Sequence, residues 1–167
     1  MRRTKLITTM AVFIAIGTLA SQLIWFPAGV AKAYPVQHAI NVMAAVMLGT
    51  GPAVTIAFII GVLRNLLGLG SLLAFPGGMI GAFLAGILYK RFKHNIAAAC
   101  GEVLGTGVIG ALFAVPFAKI LMGTAFGALF FIPPFLVSSI TGGFIGVFIV
   151  SRINHQKIIG KNIKDGI

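Results

Sequence analysis

Acidic residues are almost missing from this chain of 167: Glu102 and Asp165 are the only two. A carrier built from two repeated halves and driven by a carboxylate relay needs more acids and a longer chain, so that class is excluded. Cysteine is as scarce. The lone Cys100 lies in an apolar run, forms no internal disulfide, and is expected as a small residue of the packed core. The chain also lacks a Gly-x4-Gly-Lys-[Ser/Thr] phosphate loop and any Cys-x-x-Cys, His-Glu-x-x-His or Gly-x-Ser-x-Gly element. ATP hydrolysis, metal binding and a cofactor therefore find no support, and any transport would draw its energy from a partner. Charged residues make up 9% of the chain, against roughly a quarter in a soluble domain. Too little polar surface remains to cover a water-soluble globule.

Apolar residues make up 59% of the chain, and the mean hydropathy is +1.07. Lipid gives the backbone no hydrogen-bond partners, so only helices and closed barrels cross it. Long unalternating apolar runs exclude the barrel. The fold class is thus an all-α integral membrane protein: one transmembrane domain, 1–167, with about six transmembrane helices. The expected spans are 6–26, 36–49, 52–67, 75–90, 96–115 and 134–151. Pro35, Pro52, Pro76 and Pro134 stand at four of the six starts, where a missing N–H costs nothing. Spans two to four are short for a hydrocarbon core of ~30 Å, which points to helices that meet at a cavity or are shielded by neighbours. Arg2, Arg3 and Lys5 before an apolar stretch, with Ala31-Lys32-Ala33 after it, imitate a signal peptide. The run from Leu6 to Phe26 is 21 residues, longer than the h-region of about 7 to 15, and reads as a retained first span.

Basic residues orient the spans, because Lys and Arg accumulate on the cytoplasmic side. With six spans and both termini inside, that side holds Arg2, Arg3, Lys5, Lys90, Arg91, Lys93, Arg152, Lys157, Lys161 and Lys164; the outside holds only Lys32, Arg64 and Lys119. This distribution accounts for the net charge of +11 better than a nucleic-acid partner does. Small residues recur at every fourth position: Ala11 and Ala15; Ala53, Ala57 and Gly61; Gly77, Gly81 and Ala85; Gly101 and Gly105; Ser138, Gly142 and Gly146. Such stripes let helix backbones approach closely. Most are expected to pack within the bundle, and an exposed one would be a docking face.

Polar residues inside the apolar runs are candidate sites, because burying them in a membrane is costly without a partner. The densest group is Tyr34, Gln37, His38 and Asn41. On a helix beginning at Pro35, Gln37 and Asn41 are i, i+4 and His38 and Asn41 are i, i+3, so the three crowd one face near the outer surface. They serve either a ligand or an interhelical clamp. Arg64 and Asn65 near the outer end of span three either meet a polar ligand or, for Arg64, snorkel to headgroups. Glu102, with Thr106 at i+4, is paired with a base, protonated or facing water; its place favours a structural or coupling role. Trp25, Phe26, Tyr34 and Phe75 form an interfacial belt or stack on a flat heterocycle. The apolar segment from Pro116 to Pro133 reads as a lid or re-entrant segment.

The strings Lys32-Ala-Tyr-Pro-Val-Gln-His-Ala-Ile-Asn41, Leu63-Arg-Asn-Leu-Leu-Gly-Leu-Gly70, Leu73-Ala-Phe-Pro-Gly-Gly-Met79 and Gly101-Glu-Val-Leu-Gly-Thr-Gly107 together resemble the ThiW family of substrate-binding S components of energy-coupling factor (ECF) transporters. The likeness spans roughly residues 5 to 150. It implies a six-helix S-component fold taking up a thiamin precursor, a small neutral heterocycle such as hydroxyethylthiazole, while a transmembrane T component and two ATPase subunits supply the movement. It also implies that the face of the first helix carrying Ala11 and Ala15 docks the T component, and that the loop from Trp25 to Tyr34 closes over the ligand. A neutral thiazole needs a flat apolar slot and a few hydrogen bonds rather than a charge clamp. The candidate contacts are His38, Asn41 and Gln37 for the ring nitrogen or hydroxyl, Tyr34 and Trp25 for stacking, and Asn65 for a further hydrogen bond. The alternatives are an S component for thiamin or another small vitamin and, from another class, a small membrane enzyme using His38 or Glu102 as acid or base.

Overall fold

The computed structural model describes residues 3–28, 31–70, 72, 74–123 and 127–165. Six helices account for nearly all of them. They are α1 (Arg3–Leu23), α2 (Pro35–Leu48), α3 (Thr50–Leu66), α4 (Ala74–Phe92), α5 (95–122) and α6 (Ala128–Asp165). A two-stranded antiparallel hairpin, β1 (Phe26–Ala28) and β2 (Ala31–Ala33), joins α1 to α2, with Phe26 opposite Ala33. Three segments are long and apolar enough to cross a membrane: Arg3–Leu23, Asn95–Ile120 and Phe130–Ile153. Helices Pro35–Leu48 and Thr50–Leu66 are apolar but shorter.

The short α2 is the hub. It packs against α6, α4, α3 and α1, and its Ile40, Val42, Ala44 and Ala45 join Phe13, Ile56, Ile60 and Ala82 in the main core. At 14 residues it is about 21 Å long, short of the hydrocarbon thickness. Burial on nearly every face removes the need to match lipid. Pro35 opens α2 at its first turn. One residue, Gly49, turns the chain into α3 at φ 91°, a conformation that a Cβ disfavours.

Helix α5 is continuous but changes pitch: α-helical over Asn95–Glu102, π-helical over Val103–Gly110, and α-helical again over Ala111–Met122. Its glycines let it cross α4 at backbone distance. A Cβ on Gly105 would stand 2.6 Å from Gly81 Cα, so Gly105→Ala must push two backbones apart. The expected loss is about 1–3 kcal/mol, read as a lower midpoint of thermal unfolding in detergent. Gly51→Ala is the control, since nothing lies within 4 Å of its Cβ position; equal midpoints for the two variants would refute the close crossing.

The structure corrects three expectations. The segment from Pro116 to Pro133 is neither a lid nor a re-entrant loop: 116–122 completes α5 and 128–133 begins α6, while residues 124–126 lie outside the described residues. Pro134 does not start a helix but sits with Pro133 inside α6; each forfeits one backbone hydrogen bond, a loss that membrane helices tolerate when neighbours and side chains compensate. Cys100 is exposed rather than part of the core. The small-residue stripes divide as anticipated. Ala53, Ala57 and Ala85 are buried, and Gly142 and Gly146 meet the backbone of α2, whereas Ala11 and Ala15 are exposed.

Candidate functional site

A cavity of about 360 Å³ opens where the N-terminal ends of α2 and α6 meet the C-terminal end of α3. Each element contributes for a local reason. Pro35 starts α2 so that Gln37 and His38 fall on its first turn and face inward. The hairpin brings Lys32 and Tyr34 to the rim, and the Tyr34 N–H donates to Ser138 Oγ at 3.2 Å, tying the hairpin to α6. Helix α6 supplies the apolar wall, Phe130, Phe131, Pro134 and Phe135, in which Phe131 packs edge-on against Phe130 with centroids 5.2 Å apart. The backbone of Gly68 to Gly70, after α3, closes the remaining side.

Beneath the cavity lies a buried polar network centred on Glu102, which is 0% exposed. Three side chains converge on its Oε1: His38 Nδ1 at 2.8 Å, Thr106 Oγ1 at 2.9 Å and Asn41 Nδ2 at 3.1 Å. The second hydrogen of Asn41 Nδ2 goes to Gly78 O at 3.1 Å, and Thr106 Oγ1 also lies 3.0 Å from Gly77 O. Helices α2, α4 and α5 are thereby pinned at one point. Glu102 and Thr106 sit where α5 passes into its π-helical stretch, a distortion common at functional sites. With Nδ1 committed to Glu102, the other ring nitrogen of His38 is the atom available to the cavity. A neutral ring that donates from Nδ1 presents Nε2 as an acceptor.

A second cluster forms the side wall. Arg64 does not snorkel; it is 4% exposed, and its Nη1 donates to Gln37 Oε1 at 2.7 Å while Nη2 donates to Leu69 O at 3.1 Å. Its guanidinium lies 4.5 Å from the Tyr34 ring centroid. The arginine therefore holds Gln37, Tyr34 and the turn after α3 in place.

Of the residues singled out from the sequence, Tyr34, Gln37, His38 and Arg64 line this cavity together. Asn41 is fully buried below it, spent on the network. Asn65 donates to Gly61 O of its own helix at 2.8 Å, and Trp25 is exposed beside Lys32, whose Nζ lies 3.9 Å from the indole centroid. None of these three is in the lining. The α6 aromatics, Ser138, Lys32 and Thr106 were not foreseen as lining. Thr106 carried a signal, its i+4 spacing from Glu102.

A family model described as thiamine-precursor transporter protein (ThiW) matches residues 7–156. The chain belongs to the ThiW family. No curated protein and no solved structure matches it. Membership makes the chain a transporter component rather than an enzyme, which disposes of the acid–base reading of His38 and Glu102. Thiamine-precursor transport implies a small-molecule substrate and a membrane setting, in keeping with the apolar helices.

Proposed function

We propose that this ThiW-family chain is the substrate-binding S component of an ECF transporter and that the cavity binds hydroxyethylthiazole. The observation that carries the reading is the pairing of one apolar aromatic wall with one polar corner in about 360 Å³, near the lower end of the roughly 300–1,000 Å³ usual for small-molecule sites. The thiazole ring lies against Phe131 and Phe135, the hydroxyl of the side arm donates to His38 Nε2, and Tyr34 and Gln37 border the ring. Trp25, Asn41 and Asn65 act from outside this contact set, through the rim and the supporting network. A T component and two ATPase subunits supply the energy that this chain has no motif to harvest.

The decisive measurement is binding of hydroxyethylthiazole, thiamin and the pyrimidine half of thiamin to the purified protein. Hydroxyethylthiazole should bind tightest, and His38→Ala should weaken it about tenfold or more, the worth of one buried hydrogen bond. Tighter binding of either other compound by the wild-type protein refutes the assignment.

All six helices are taken to span, with both termini cytoplasmic and the cavity opening outward. Single cysteines near Lys32 and Lys119, placed in a Cys100→Ala background because Cys100 is exposed, should react with an impermeant thiol reagent added from outside. Protection of either position would overturn the orientation.

A further inference from the structure

We infer that the cavity selects its substrate by charge, admitting neutral molecules and rejecting permanent cations, so that a thiazolium, thiamin included, is excluded even where its shape fits. The inference rests on the cavity being the substrate site. Two cationic side chains line it, Arg64 in the wall and Lys32 at the rim. The partners of Arg64 are an amide oxygen, a backbone carbonyl and an aromatic ring, none of which carries a negative charge. Among the side chains only Glu102 and Asp165 could supply one. Asp165 ends α6, about 40 Å along that helix from Ser138.

Glu102 is near but closed off. It is 0% exposed, its Oε1 is met by His38, Asn41 and Thr106, and its Oε2 lies against α4, 2.6 Å from where a Gly81 Cβ would be. Even with Glu102 counted as a full negative charge, Lys32 and Arg64 leave the site one positive charge in excess. A cation entering it gives up water and gains no accessible carboxylate, while a neutral ring avoids both costs. The aromatic rings lining the cavity, Tyr34 and the α6 phenylalanines, offer a cation some compensation. Part of it is already used, because the Tyr34 face is taken by Arg64.

The test compares hydroxyethylthiazole with its N-methylated thiazolium, the same ring and arm plus one methyl and one positive charge, on the purified protein by calorimetry. The cation should bind about 100-fold more weakly or worse, as like-charge juxtaposition requires. Lys32→Glu, at an exposed rim position, should narrow that gap about threefold or more at low ionic strength. Loss of the ring-nitrogen acceptor or a steric clash would leave the gap unmoved. Binding of the thiazolium within threefold of the neutral compound, or an unchanged gap in Lys32→Glu, overturns the inference while the substrate reading stands. A protein that ignores hydroxyethylthiazole but binds the pyrimidine half overturns the substrate reading instead. The pyrimidine and its N-methylated cation then decide the charge question by the same comparison.

Discussion

Replacing Glu102 with alanine is expected to cost about 3–5 kcal/mol of stability, the range for removing one partner of a buried pair. The three donors on Oε1 do not suffer equally. Asn41 keeps Gly78 O and Thr106 keeps Gly77 O, but His38 Nδ1 has no other partner among the described residues. A buried donor left unmade costs about 1–3 kcal/mol, and the vacated volume between α4 and α5 adds a cavity term. Glu102→Gln retains an oxygen for His38 and should recover most of the loss. Asn41→Ala should cost about 1–3 kcal/mol, because both hydrogens of its amide are used. Thermal midpoints in detergent for the three variants check the order. A Glu102→Ala protein as stable as the wild type would show that the network does not hold α2, α4 and α5 together.

That network also marks where reading the sequence stops. Gln37, His38 and Asn41 share a helix face by spacing alone, and helical periodicity is local, so their common placement was legible. The partner of His38 was not. Glu102 stands 64 positions away, and nothing in either segment separates pairing with a base from protonation or contact with water. The same holds for Arg64, for which ligand contact and snorkelling had equal claims until Gln37, Leu69 and Tyr34 were found around it. The aromatic wall was hidden for another reason: Phe130 and Phe131 lie in the segment read as a lid, whose apolar character is equally that of a helix, and Phe135 lies in the expected sixth span with no polar neighbour to single it out.

Helix positions were legible where apolar runs are bounded by turn residues. The expected 36–49 and 52–67 agree closely with Pro35–Leu48 and Thr50–Leu66. Errors concentrate where proline was taken for a boundary. Pro116 is inside α5 and Pro133 and Pro134 are inside α6, because in an apolar setting leaving the helix exposes more unpaired backbone than a proline removes. The π-helical stretch of α5 has no sequence mark of its own; the glycines at 101, 105, 107 and 110 signal close approach, not a change of pitch.

Replacing Ala11 and Ala15 together with leucine is expected to abolish uptake while leaving substrate binding within about twofold of the wild type, as for surface changes remote from a site. Helix α1 buries only Phe13, Gly17, Thr18 and Ser21, and Ala11 and Ala15 lie on its exposed side among Ile7, Val12, Ile16 and Leu19, which are also exposed. Lipid tails are as apolar as those side chains, so the hydrophobic effect gives a partner no reason to settle there. Close backbone contact does, and only the two alanines permit it. Leucine at either position holds a partner helix off by the length of its side chain. The substitutions cannot crowd the bundle, because the side chains point away from it. They also lie about 12 to 18 Å along α1 from its hairpin end, where the cavity opens. Co-purification with the proposed T component and ATPases, measured beside binding of hydroxyethylthiazole as the proposed substrate, separates the outcomes. Intact assembly in the double variant would remove this face as the docking surface, and loss of binding together with assembly would mean that α1 carries the cavity's shape rather than a separate interface.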